Sequence, residues 1–171
     1  MNMTSTTFTG WDENVPPMTD VSNTLINVID VWEPPETEIL KYPILHEDVF
    51  YFARFLNKKL LQYKKLGAHI NFATHDGHET HKQLSSILTS EYFGNIMTSP
   101  TEMLDYLNDN NLTILVICGQ HLHRCIMDRP TGYIRMKTYV TNIAVALTLC
   151  RAYPTELDKP FTIDVRHYIY L

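Results

Sequence analysis

Residues 112–125 read Leu-Thr-Ile-Leu-Val-Ile-Cys-Gly-Gln-His-Leu-His-Arg-Cys, and the fold of the chain is decided there. Residues 112–118 are β-branched and aliphatic almost without interruption, as in a strand buried on both faces of a parallel sheet. Gly119 ends the run, and 119–124 reads as a tight turn that delivers Cys125 to the start of the next segment. A cysteine that opens a helix after a strand faces unpaired backbone N–H groups and the helix dipole, which favour its thiolate.

Working outward, the same strand signature recurs at 24–31 and 68–74, and a last core strand is expected near 140–149. Between the first two strands, Val49, Phe52, Ala53, Leu56, Leu60 and Tyr63 form a helical stripe over 47–66. Glu47 and Asp48 would complement the dipole of its first turn, lysines that of its last, and Gly67 follows as a stop. Ser99-Pro-Thr-Glu102 is a helix start, with Ser as N-cap, Pro at the first helical position and Glu reaching back. That helix is expected to run to about residue 108. The segment 75–98 shows no clear period. Residues 161–171 alternate in part and suit an edge strand.

Strands alternating with helices predict a three-layer α/β/α domain with a doubly wound, mostly parallel sheet, Rossmann-like in plan. Residues 1–22, rich in Thr, Ser, Asn and Asp, read as an arm that Phe8 and Trp11 could dock. Residues 23–171 form the domain. A single domain of 171 residues buries about two-thirds of its unfolded surface.

Composition narrows the function classes. A formal charge of −5 with no Lys/Arg block argues against a nucleic-acid groove or an anionic membrane surface. No apolar run approaches the ~20 residues of a membrane span, and the first residues lack a secretory pattern. Three widely spaced cysteines make no disulfide framework, which fits a reducing, cytoplasm-like compartment. Tyr42, Phe50, Tyr51, Phe52 and Phe55 are more than one helix face can bury, leaving an excess of aromatic surface that a subunit interface would explain.

Functional groups of an open parallel sheet gather at the carboxyl ends of its strands. Asp30, the His75–His81 loop and the 119–125 turn all fall there. Taken alone, Cys125 could be a core filler and Asp30 a loop cap. Taken together, a thiolate and a nearby carboxylate could act as nucleophile and general acid/base.

The chain resembles the isochorismatase-like (cysteine hydrolase) superfamily over roughly residues 23–150. The resemblance lies in Leu-Ile-Asn-Val-Ile-Asp30, Lys-Lys-Leu-Gly67-Ala-His-Ile, and the hydrophobic strand ending in Gly119 with Cys125 six residues on. Arg129-Pro-Thr-Gly-Tyr-Ile-Arg-Met136 is similar to an Arg-Pro-small-Gly segment in one branch of that superfamily. The resemblance implies Cys125 as nucleophile, Asp30 as acid/base and a small amide-like substrate. It also implies an oxyanion hole from backbone N–H groups over Leu122, His123, Arg124 and Cys125, around a peptide often cis in the family. By their place in the turn, His121 and His123 could line the same pocket, or could be turn residues making backbone hydrogen bonds.

Two departures from the family pattern bear on activity. The family lysine precedes an aromatic matched here by Phe93, but Ile87, Leu88 and Thr89 stand before it, and Lys82 is the nearest cation. After Leu149 the chain looks too short for the usual helix plus strand. A catalytically silent domain serving as a structural, binding or assembly subunit is therefore the alternative reading, and a homo-oligomer or a place in a larger assembly is expected on either. Asp76-Gly-His78-Glu-Thr-His81 resembles the metal site of the nicotinamidase branch, implying Zn, Mn or Fe. The same residues also suit a polar surface loop.

Overall fold

The structure is a computed structural model and describes residues 21–31, 40–41, 43–73, 95–152 and 168–169. Its elements are β1 (Thr24–Ile29), α1 (Pro43–Lys65), β2 (His69–Ala73), α2 (Pro100–Asp109), β3 (Ile114–Gln120), α3 (Cys125–Asp128), α4 (Tyr133–Met136), β4 (Ile143–Arg151) and β5 (Tyr168–Ile169). The strands form one sheet in the order β2-β1-β3-β4-β5, and every pairing is parallel.

Alternation along each strand sends side chains to two separate cores, the mark of a sheet covered on both faces. On one face, Ala53, Leu56 and Leu60 of α1 pack on Ile26, Val28, Ile70, Phe72, Val116 and Ala144. On the other, Met103 and Leu107 of α2, with Tyr133 and Met136 of α4, pack on Leu25, Ile29, Leu115, Ile117 and Val145. The expected three-layer, doubly wound arrangement is thus present. Leu56 and Leu60 are fully buried, and truncating either to alanine would cost about 2–5 kcal/mol.

Boundaries differ from the sequence reading in instructive ways. The helix α1 begins at Pro43, not 47, because proline suits a first helical turn. Glu47 and Asp48 therefore fall in its second turn, away from the N-terminal end of the dipole. The strand β3 runs 114–120, two residues later than expected. Leu112 donates its N–H back to Leu107 at the end of α2, and Gly119 and Gln120 still pair with Cys150 and Arg151 of β4. The turn after β3 accordingly opens at His121, which takes a left-handed backbone (φ 60°). Val21 is fully buried in the first core. The short β5 adds a parallel edge strand beyond β4, within the 161–171 stretch that the sequence marks for one.

The helix α2 starts as its sequence predicts. Ser99 Oγ accepts from the Glu102 N–H at 3.2 Å, and Glu102 Oε2 accepts from the Ser99 N–H at 3.2 Å. Two otherwise orphaned donors are satisfied reciprocally.

The strand order fixes the place of function. The chain leaves β1 for β2 on one side and returns to β3 on the other, so the carboxyl ends of β1 and β3 flank a topological switch point, where open α/β sheets bind ligands. Gly119 lets those ends meet. Its φ is +124°, it pairs with Ile29, and an added Cβ would overlap the Ile29 backbone, 2.7 Å from its amide nitrogen.

Candidate active site

Asp30 immediately follows β1. Its backbone is left-handed (φ 49°), a conformation that Asp tolerates better than most residues. Its N–H donates to the Ala73 carbonyl at 3.0 Å, tying the ends of β1 and β2 together. The side chain is 1% exposed. A carboxylate at such depth needs a partner, and Arg129 supplies it: Nε donates to Asp30 Oδ2 at 2.7 Å. The other oxygen, Oδ1, is buried and has no hydrogen-bond partner among the described residues.

Cys125 opens α3, on the far side of the 121–124 turn from β3, and is half-buried. Arg129 lies one turn further on, its N–H donating to the Cys125 carbonyl at 3.1 Å. Both residues line an open cavity of about 370 Å3 with Arg124, Asp128 and Pro130. Burial works against the Arg129 charge, but Asp30 and a hydrogen bond to the Cys125 side chain outweigh it and hold the guanidinium above its ordinary pKa. Arg129 therefore joins the two groups that the sequence singled out as acid/base and nucleophile.

What holds Arg129 in place is a buried amide chain across the sheet face. Asn27 Nδ2 donates to the Thr131 carbonyl at 3.0 Å, and Asn27 Oδ1 accepts from Asn71 Nδ2 at 2.8 Å. Asn71 in turn exchanges bonds with Met97, Nδ2 donating to its carbonyl at 3.1 Å and Oδ1 accepting from its N–H at 2.8 Å. Asn27 and Asn71 are fully buried and sit at paired positions of β1 and β2. Gly132 completes the fit: a Cβ there would lie 2.8 Å from the Ile126 carbonyl oxygen and 2.9 Å from that of Arg129. The loop 129–132 is thus pinned to the sheet on one side and to the backbone of α3 on the other.

The three cysteines part company by environment. Cys118 is fully buried in β3, and burial pushes its thiol far up. Burial and the neighbouring Cys118 raise the Cys150 thiol as well. Cys125 alone of the three lines the cavity.

The turn and the short helix differ in detail from the sequence reading. The helix α3 has only four residues, too short to build a macrodipole, so a charge partner and not a dipole must stabilise a thiolate there. Two of the expected oxyanion donors are occupied: the Leu122 N–H donates to the Arg151 carbonyl at 3.1 Å and the Arg124 N–H to the His121 carbonyl at 3.0 Å. No peptide of this turn is cis. His121, Leu122 and His123 are half-buried in the turn, and Arg124 is exposed at the cavity. Asp76, His78 and His81 lie outside the described residues, as do Lys82, Phe93 and the arm with Phe8 and Trp11. Among the described residues no three His, Cys, Asp or Glu side chains are grouped to hold a metal. None of the described helices is long and apolar enough to cross a membrane. Tyr51 and Phe55 of α1 do stand exposed, at 62% and 42%.

Comparison of the chain with protein-family models, curated proteins and solved structures finds no match.

Proposed function

We propose that the chain is a cysteine hydrolase of the isochorismatase-like kind, acting on a small amide-like substrate from the cavity beside Cys125. One observation carries this reading: a half-buried cysteine and a buried aspartate flank the switch point of a parallel sheet, and one arginine contacts both. A cavity of about 370 Å3 is at the small end of the ~300–1,000 Å3 usual for ligand pockets.

The reaction follows from these groups. The Cys125 thiol gives its proton to Asp30, and the sulfur attacks the amide carbon to form a tetrahedral oxyanion. That adduct collapses to a thioester as the C–N bond breaks, and Asp30 returns the proton to the departing amine. Water then attacks the thioester, Asp30 takes its proton, and the acid leaves as the thiol is re-formed. One water is consumed, and one amine and one acid are produced.

The occupied N–H groups of Leu122 and Arg124 favour a second reading, a silent domain used for binding or assembly, for which the exposed Tyr51 and Phe55 would offer a contact surface. A panel of small primary amides, assayed for ammonia release, separates the two. Turnover that falls at least 1,000-fold in both C125S and D30N, roughly the loss seen when members of a catalytic unit are removed, supports the hydrolase. Turnover unchanged in C125S, or none on any amide, removes it.

A further inference from the structure

The cation expected from the family lysine has no counterpart at the matching sequence positions, yet the site holds one. We propose that Arg129 is the charge partner of the Cys125 thiolate, clamping nucleophile and acid/base together from the loop that follows α3.

Three observations support this. Arg129 Nε is committed to Asp30 Oδ2 at 2.7 Å. A guanidinium presents five N–H donors in a rigid fork, so its Nη groups remain for a second acceptor, and the cavity wall places Cys125 beside it. The geometry is also enforced: the Arg129 N–H bonds to the Cys125 carbonyl at 3.1 Å, and Asn27 holds the Thr131 carbonyl two residues later at 3.0 Å.

The chemistry differs from that of a lysine in one respect. An arginine stays protonated at any working pH and passes no proton. All proton traffic therefore falls to Asp30, and it has one place to go: Oδ1, buried and unpartnered among the described residues, while Oδ2 is held by Arg129. Moving the thiol proton to Oδ1 exchanges a carboxylate for a thiolate beside the same cation. The summed charge of the three groups is zero before and after, so the step needs no counter-ion from solvent. This balance is what makes a thiolate affordable at a half-buried position that lacks a long helix behind it.

The inference rests on the proposed function for the roles of Cys125 and Asp30, but its test reads ionisation of the thiol without any substrate. Iodoacetamide alkylation of Cys125 is followed against pH by mass spectrometry of its peptide. In the wild type the rate should reach half its maximum at least one unit below the ~8.5 of a free thiol. R129Q should move the midpoint back to about 8.5 and slow alkylation at pH 7 about tenfold or more. R129K, which keeps the charge without the fork, should stay within about threefold of wild type. Because R129Q leaves Asp30 buried and unpaired, D30N/R129Q removes both charges and supplies the folded comparison; its thiol should also titrate near 8.5. An ordinary thiol in the wild type, or a wild-type midpoint retained in R129Q or D30N/R129Q, overturns the assignment. A shifted thiol in a protein that hydrolyses no amide would leave Arg129 in this role and remove the hydrolase instead.

Discussion

Replacing Asn27 by leucine probes the device that aims Arg129. The side chain is fully buried, branched like leucine but smaller, and makes two bonds: donor to the Thr131 carbonyl at 3.0 Å and acceptor from Asn71 at 2.8 Å. N27L orphans the Thr131 carbonyl, a loss of about 1–3 kcal/mol for a buried polar group, and removes one acceptor from Asn71, about 0.5–1.5 kcal/mol more. Asn71 keeps its bonds to Met97, so the second loss lies at the low end. The leucine methyls, packed beside Leu25 and Ile29, offset about 1 kcal/mol. The net expectation is a loss of about 0.5–2.5 kcal/mol, which for a chain of this length lowers Tm by about 1–10 °C. N27D should be worse, since a carboxylate cannot donate to the Thr131 carbonyl and adds a buried charge. Urea and thermal unfolding give the stability. Alkylation of Cys125 at pH 7 gives the functional consequence, because a freed 129–132 loop loosens Arg129 and slows the thiol. An N27L protein within 0.5 kcal/mol of wild type, with Cys125 reacting at the wild-type rate, would refute the claim that the amide chain positions the site.

Two further perturbations test the frame around it. G119A places a Cβ into the Ile29 backbone at a φ of +124°; backbone strain of roughly 1–3 kcal/mol plus displacement of β1 should cost at least ~3 kcal/mol in unfolding experiments, whereas a neutral G119A would show that β1 and β3 do not approach as described. S99A removes the cap of α2 and should cost about 1 kcal/mol. The hydrogen bonds of Ser99 and Thr98 lower the Glu102 pKa below its ordinary 4.5, so its share of stability is complete above about pH 4.5 and fades as pH falls through the depressed value. The acid unfolding curve of E102Q should thus converge on that of wild type at low pH, and a gap that widens there would contradict the capping box.

Much of this was legible in the chain itself. The parallel sheet followed from four aliphatic runs separated by a helical stripe and a capping box, and the two cores confirm their alternation. Asp30 and Cys125 were legible because strand ends are marked locally, by a polar residue after Val-Ile and by Gly119. Arg129 as their common partner was not, since it meets Asp30 across 99 residues and only the packed loop brings them together. The one signal was its place in Arg-Pro-Thr-Gly. Asn27 was similarly hidden: a single amide within Leu-Ile-Asn-Val-Ile reads as a tolerated interruption, though a polar residue in a strand buried on both faces must find partners. The shortness of α3 is also written in the sequence, although the dipole argument overlooked it. Pro130 follows Arg129, and a residue before proline is turned away from helical backbone; Arg129 indeed has ψ 153°, and the dipole argument for the thiolate falls with it.

Cys125 is proposed as a nucleophile served by Asp30 and Arg129. The most direct measurement is the intact mass of the protein, quenched in acid during reaction with an activated ester or amide of a small acid, followed by peptide mapping. A single acyl adduct on Cys125, absent from C125S and accumulating more slowly in R129Q than in R129K, is the predicted result. An adduct elsewhere, or an unmodified Cys125 while the same reagent acylates Cys118 or Cys150, would contradict it.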